Sequence, residues 1–230
     1  MRCRFYLGYL DEVIGIVRAP AGLHRFFDPV ALNLGLAITA QASDEAPLLA
    51  APYFSLSLTR SPHNQVASYR LIKHSFHRGR RMSIASDDLE MELSLTSEAI
   101  AHLQTEAILG SVTFRFSNTG ELIDICNGVQ CEAFWTLEFS ATSQFENEIR
   151  AAYDLPLGSS ASNISWALLE FSAPQHLDMV QPYLHLFAHD PNYKICKLTS
   201  HSGFVTVSGT GDIVGRVIHA VDYLEGVVKE

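Results

Sequence analysis

VTFRFSNTGELIDICNGVQCEAFWTLEF, residues 112–139, is the stretch on which the fold class turns. Val112, Phe114 and Phe116 alternate with Thr113, Arg115 and Ser117, the period of two expected of a half-buried strand. Asn118-Thr119-Gly120 supplies a turn, and Glu121 to Cys126 reads as the next strand. Asn127-Gly128 is the pair that most readily takes the positive φ values of a two-residue hairpin. A third strand then puts Cys131, Ala133, Trp135, Leu137 and Phe139 on one face. The spacing predicts an antiparallel meander over residues 110–140.

Upstream, Tyr69 to Phe76 reads as a strand running into His77-Arg78-Gly79-Arg80-Arg81. Leu89, Met91, Leu93 and Leu95 alternate with Glu90, Glu92 and Ser94, again a strand pattern, and Thr96 is placed to cap a short helix over 97–105. Earlier still, Phe5 to Val17 suits a strand and a turn, while Val30 to Ala40 fits helix or buried strand equally well. Pro47, Pro52 and Pro62 mark loops or short edge strands.

Downstream, DLPLGSSASN, residues 154–163, is a turn-rich connector. It divides the chain into a β-rich α+β region, 1–155, and a small α/β plait, 164–230, able to pack as one unit with the first. In the second part a strand over Ile164–Phe171 precedes a helix from Pro174 to about His189 and one or two strands between Tyr193 and Val207. A final helix carries Ile213, Val214, Val217, Ile218, Val221, Leu224 and Val228 as one stripe. The expected class is α+β, an antiparallel meander-containing N-terminal region followed by a ferredoxin-like βαβ(β)α layer.

Of the 230 residues 47% are hydrophobic and 18% charged, which gives apolar material for a core and argues against disorder. The formal net charge of −9 argues against a polyanion partner, since phosphate contacts need clustered Lys and Arg on a favourable field; no nucleic acid is expected. No run approaches the roughly 18 uncharged apolar residues of a membrane span. Asp11-Glu12 also interrupts the apolar stretch behind Arg2 and Arg4 before it can act as a secretory signal, so no membrane partner is expected. Cys3, Cys126, Cys131 and Cys196 are too few and scattered for a disulfide scaffold, and the reading is cytoplasmic.

Motifs add little chemistry. Gly209, Gly211 and Gly215 lie between a strand and a helix, as glycines do around a pyrophosphate, but the second strand and acid of a dinucleotide fold do not follow; a tight turn capped by Asp212 is the reading. His185 and His189 share a helical face, with His176 and Asp190 as conceivable further ligands, yet no His-Glu-x-x-His arrangement is formed and no metal is expected. Cys126 and Cys131 flank the Asn-Gly turn out of register for a disulfide or zinc knuckle. Gly-x-Ser-x-Gly, Walker and Cys-x-x-Cys patterns are absent, no spacing singles out a catalytic group, and no cofactor is expected. Arg70, Lys73, Arg78, Arg80 and Arg81, with His74 and His77, are the anion-binding candidates, a seat for a small carboxylate or phosphate ligand. The plain alternative is a solvated hairpin tip facing the acidic run Asp87 to Glu92.

In the last third, a strand ending Ala167-Leu168-Leu169-Glu170 is followed by a helix, then by Lys197 shortly before Ser202-Gly203-Phe204-Val205-Thr206-Val207. Gly211-Asp212-Ile213-Val214 and a helix containing His219-Ala220-Val221 complete the pattern. Together, residues 164–228 resemble a bacterial microcompartment shell-protein domain. That resemblance implies a flat hexamer or trimer whose pore is faced by the loop before the Val-Thr-Val strand, which makes Ser200, His201, Ser202 and Gly203 pore-loop candidates.

The function expected on these grounds is a non-catalytic, self-associating, shell- or assembly-like protein, a homo-oligomer held by its C-terminal plait. The alternatives are a small-molecule enzyme or binder with a pocket between the two halves, and a sensor of an anionic metabolite at residues 70–81.

Overall fold

The computed structural model describes residues 52–199 and 201–227, together with the backbone of β1 (Val17–Arg18), β2 (His24–Arg25) and β3 (Ile38–Thr39), which pair antiparallel in that order. The readings made for other positions before residue 52, for Ser200 and for Val228 lie outside the described residues.

A nine-stranded sheet organises the described chain. Its strands are β4 (Tyr53–Arg60), β5 (Val66–Ser68), β6 (Ile72–His77), β7 (Arg80–Ala85), β8 (Gly110–Phe116), β9 (Leu122–Asn127), β10 (Trp166–Ser172), β11 (Tyr193–Lys197) and β12 (Ser202–Ser208). They run in the order β11-β12-β10-β7-β6-β4-β8-β9, with β5 paired to β4 further along the edge that β6 uses. Every pairing is antiparallel.

Helices cover both faces. On one, Phe54, Leu56, Leu58, Val112, Phe114 and Phe116 pack under α1 (Leu89–Thr105), and Ala167, Leu169, Val205 and Val207 pack under α5 (Ile213–Leu224) with α4 (Val180–His189) beside it. On the other, a 3-10 turn (Cys131–Ala133), α2 (Thr136–Phe139) and α3 (Gln144–Ala152) lie across the strands and bury Phe134, Trp135, Phe139 and Phe145 against Trp166, Leu168 and Phe204. Trp166 stacks between Trp135 and Phe139, at 4.9 and 5.4 Å between ring centroids.

Two single elements differ from their reading in the sequence. The alternation at residues 89–95 belongs to a helix. Asp88 caps α1 by accepting from the Met91 amide at 2.9 Å, and Glu90 and Glu92 sit where the helix dipole favours acids. Leu95, Ala99 and Leu103 recur once per turn on the buried side, while Leu89 (64% exposed) and Leu93 (63%) face outward. The helix read as starting after Thr96 therefore begins at Leu89.

The third strand of the meander is also replaced. β8 and β9 pair as expected across the Asn118-Thr119-Gly120 turn, but Gly128, at φ 82°, takes the chain out of the sheet rather than around a hairpin. Its amide donates to the Ser111 carbonyl at 2.7 Å, and Gln130 Nε2 donates to the Asn127 carbonyl at 3.1 Å, so the chain leaves β9 across the face. Trp135 and Phe139 are buried because they lie four apart on helical turns, not because they alternate on a strand. A two-residue turn with positive φ at both positions occurs instead at Arg78-Gly79, between β6 and β7.

The C-terminal elements fall near their expected places, with α4 starting at Val180 and Asp212 capping α5 through the Gly215 amide at 2.8 Å. They do not form the expected ferredoxin-like, shell-like layer. β10 pairs with β12 on one edge and β7 on the other, so β10, β11 and β12 extend the same antiparallel sheet. Among the described residues, no helix is long and apolar enough to cross a membrane.

Gly203 shows how tightly β11 and β12 are set. A Cβ at this position would stand 2.0 Å from the Cys196 carbonyl oxygen. Gly203→Ala is expected to cost about 1–3 kcal/mol, the range of overpacking, seen as a lower urea midpoint at constant slope. An unchanged midpoint would contradict this register.

Candidate functional site

The face under the 3-10 turn and α3 is built from the residues that alternate with the apolar set: Tyr53, Ser55, Ser57 and Thr59 on β4, Thr113 and Arg115 on β8, and Asp124 on β9. Antiparallel register sets Tyr53 beside His74 and His74 beside Ser83, and brings Arg115 beside Asp124. At one end of the face this produces a polar row running from β9 to β10, into which the 3-10 turn lowers Glu132.

Glu132 is the centre of the row. Arg115 Nε donates to its Oε1 at 2.8 Å and Tyr53 Oη donates to the same oxygen at 3.3 Å. Arg81 Nη1 stands 3.6 Å from Oε2. Outward from the centre, Arg115 Nη1 donates to Asp124 at 3.0 Å and Arg81 Nη2 donates to Glu170. The side chains of Glu132 and Arg115 are only 2% and 5% exposed, so these charges exist only because they are paired. The pairing is incomplete: Arg81 Nε is buried and finds no hydrogen-bond partner among the described residues.

Burial alone would raise the Glu132 carboxyl, but Arg81 and then Arg115 outweigh it and bring it down to about 2. His74 is the converse case. Burial, reinforced by the Arg81 charge, lowers it to about 3, so the ring is neutral and bridges Ser55 (2.7 Å) and Ser83 (2.9 Å) while stacking on Tyr53. Burial pushes the Cys126 thiol up to about 12, which removes it as a nucleophile near neutrality. In the row the two guanidiniums hold the Glu132 carboxylate, while the imidazole serves as an uncharged hydrogen-bonding group.

The five basic candidates do not converge. Arg70 is bound to Glu92 of α1, with both carboxylate oxygens at 3.1 Å, and Arg80 to Glu225 beyond α5 at 2.8 Å. Lys73 and Arg78 are exposed, and only Arg81 joins the polar row. Of the pore-loop candidates, His201 donates through Nε2 to the Leu177 carbonyl at 3.2 Å, Ser202 begins β12, and Gly203 is buried against β11. His185 and His189 have ring centroids 4.4 Å apart, with His185 stacked on Tyr223, while Asp190 is engaged by Arg216. No group of three or more metal-ligating side chains occurs among the described residues.

Tyr53, Arg115 and Glu132 carried no functional signal in the sequence. Arg115 read as the outward side of a half-buried strand, whereas both faces of this sheet are covered. Glu132 fell on a segment taken for a strand. The one available clue was Arg115 in β8, a strand otherwise free of charge.

No family model matches the chain. The N5-carboxyaminoimidazole ribonucleotide synthase of Pseudomonas aeruginosa is 28% identical over 121 residues, 51% of this chain and 34% of that protein, so the matched stretch spans about a third of the relative. The N5-carboxyaminoimidazole ribonucleotide synthetase of Thermus thermophilus superposes on 100% of this chain and 68% of its own, with a TM-score of 0.61 at 18% identity. The Aspergillus clavatus synthase, solved with ADP and 5-aminoimidazole ribonucleotide, covers 83% of this chain and 55% of its own, with a TM-score of 0.62 at 14% identity. These likenesses show the fold alone, the one seen in the N5-carboxyaminoimidazole ribonucleotide synthetase structures, and overturn the resemblance of residues 164–228 to a shell-protein domain. The non-catalytic shell function and the pore-loop role of Ser200, His201, Ser202 and Gly203 lose their basis with it.

The protonation states above have a measurable consequence. The unfolded chain takes up a proton on His74 near its ordinary value of 6.5, the folded chain only near 3. Stability should therefore fall as pH drops through this window, by on the order of 2–3 kcal/mol between about pH 6.5 and about 4.5. His74→Gln should remove that part of the slope in urea titrations. Glu132, depressed from 4.5 to about 2, adds its own loss only below that window. An identical slope in the variant would contradict a neutral His74.

Proposed function

We propose that the chain is a small-molecule enzyme of the synthetase kind, taking an adenine nucleotide and a phosphate-bearing substrate of the 5-aminoimidazole ribonucleotide type. What carries this reading is the likeness of fold along the whole chain to synthetases of one activity, one of them solved with ADP and that ribonucleotide. The polar row supports it, because two guanidiniums on adjacent parts of one face are the donors that phosphate recognition uses. Arg81, the basic candidate that reaches the row, keeps its anion-binding role here, and Arg115 joins it. We place the protein in the cytoplasm, in keeping with Cys126, Cys131 and Cys196 being thiols. We also keep the homo-oligomer as part of the reading, since Val180, Leu184 and Phe187 turn outward from α4 at helical spacing, 59%, 58% and 48% exposed.

Calorimetric titration of the full chain with ADP and with 5-aminoimidazole ribonucleotide should give saturable heats with Kd below about 1 mM. Conversion of ATP to ADP should rise when the ribonucleotide is added. Binding without turnover would leave a binder rather than an enzyme, and the absence of both would sink the proposal.

A further inference from the structure

We propose that Glu132 is a built-in anion which occupies, and thereby closes, a two-arginine site for a tetrahedral oxyanion of the phosphate class on the sheet face. The inference deepens the functional reading above and rests on it for the identity of the natural ligand, but not for the existence of the site.

The donor count is the first argument. Each guanidinium carries five N–H groups, and a carboxylate has only two oxygens with which to meet them. Glu132 Oε1 already accepts from Arg115 Nε and from Tyr53 Oη. Oε2 lies 3.6 Å from Arg81 Nη1, beyond hydrogen-bond reach, and the buried Arg81 Nε is left without a partner among the described residues. A phosphate has more oxygens, tetrahedrally disposed, and could accept hydrogen bonds from Arg115 and Arg81 together, where the planar carboxylate accepts from Arg115 and Tyr53 and meets Arg81 only as an ion pair at 3.6 Å.

Attachment is the second argument. Arg81 and Arg115 are fixed on strands β7 and β8, inside the sheet. Glu132 is carried by a three-residue 3-10 turn that enters the face through Gly128, at φ 82°. Glu132 thus rides on the least regular element in the row, and the residues that hold it ride on the most regular. A movement of the segment after Gly128 would withdraw the carboxylate and leave both guanidiniums in place, which is how a carried side chain comes to act as a plug.

The remaining ion pairs of the row set the charge left behind. With Glu132 withdrawn, Asp124 still pairs with Arg115 and Glu170 with Arg81, both at the more exposed ends, at 32% and 30%. The vacated centre would keep the Arg115 Nε and Arg81 Nη1 donors together with the Tyr53 hydroxyl, and its ligand would need to be a compact anion rather than a cation.

The test uses the full chain with Glu132→Gln and Glu132→Ala, titrated with inorganic phosphate against chloride at matched ionic strength, and reads phosphate affinity by 31P NMR and thermal midpoint. Both variants should bind phosphate at least tenfold more tightly than the unaltered protein, with a midpoint that rises in phosphate and not in chloride. Adding Arg81→Gln to either should abolish the gain. No gain in either variant, or a gain that survives Arg81→Gln, overturns the proposal. Failure of both variants to fold in phosphate counts against it as well, because the anion should replace the lost charge. Nucleotide binding by the unaltered chain is a separate readout: its loss with the phosphate gain intact would remove the synthetase reading alone.

Discussion

Taking two guanidiniums and a carboxylate out of water costs several kcal/mol per charge, and only close, mutually satisfying geometry offsets it. In this chain that condition falls on Arg115, Arg81 and Glu132, which come from β8, β7 and the turn after β9. If the turn did not cross the face, Arg115 and Arg81 would keep only their outer partners, Asp124 and Glu170. The crossing in turn requires Gly128 and the helical spacing of Trp135 and Phe139, whose rings then close the core against Trp166. Much of the second face is thus arranged around one buried carboxylate.

The sheet is legible in the sequence where one side of a strand is clearly apolar. Val112, Phe114 and Phe116 give β8, the Asn-Thr-Gly turn gives its partner, and the stripe on α5 with its Asp212 cap is read at the right place. Legibility fails where two periods coincide. Leu89, Met91, Leu93 and Leu95 satisfy a strand by alternation, yet Leu95, Ala99 and Leu103 satisfy a helix over a longer span, and the Asp88 cap decides the matter. Asn127-Gly128 fails differently: positive φ at glycine serves a hairpin and a departure from the sheet equally well, and nothing local distinguishes them.

The polar row was nearly invisible in the sequence because its members are far apart in the chain and individually unremarkable. Arg81 drew notice only through its basic neighbours, four of which the fold sends elsewhere: Arg70 and Arg80 to helix carboxylates, Lys73 and Arg78 to solvent. Its true companions, Arg115 and Glu132, become adjacent through antiparallel register and the crossing turn. Similarly, the shell-like pattern of small residues at 200–215 reflects a strand, a tight turn and a capped helix, a combination that different folds share. What separates them is the pairing of β10 with β7, a contact between residues more than eighty positions apart, Ala167 and Ile84 among them.

The account stands on Arg115 and Glu132 being coupled through charge rather than merely adjacent. A double-mutant cycle with Arg115→Met, Glu132→Gln and the pair, read by urea unfolding at neutral pH, measures that coupling directly. The account predicts an interaction on the order of 2–3 kcal/mol, the double change costing that much less than the sum of the two single changes. Additivity to within about 0.5 kcal/mol would contradict it.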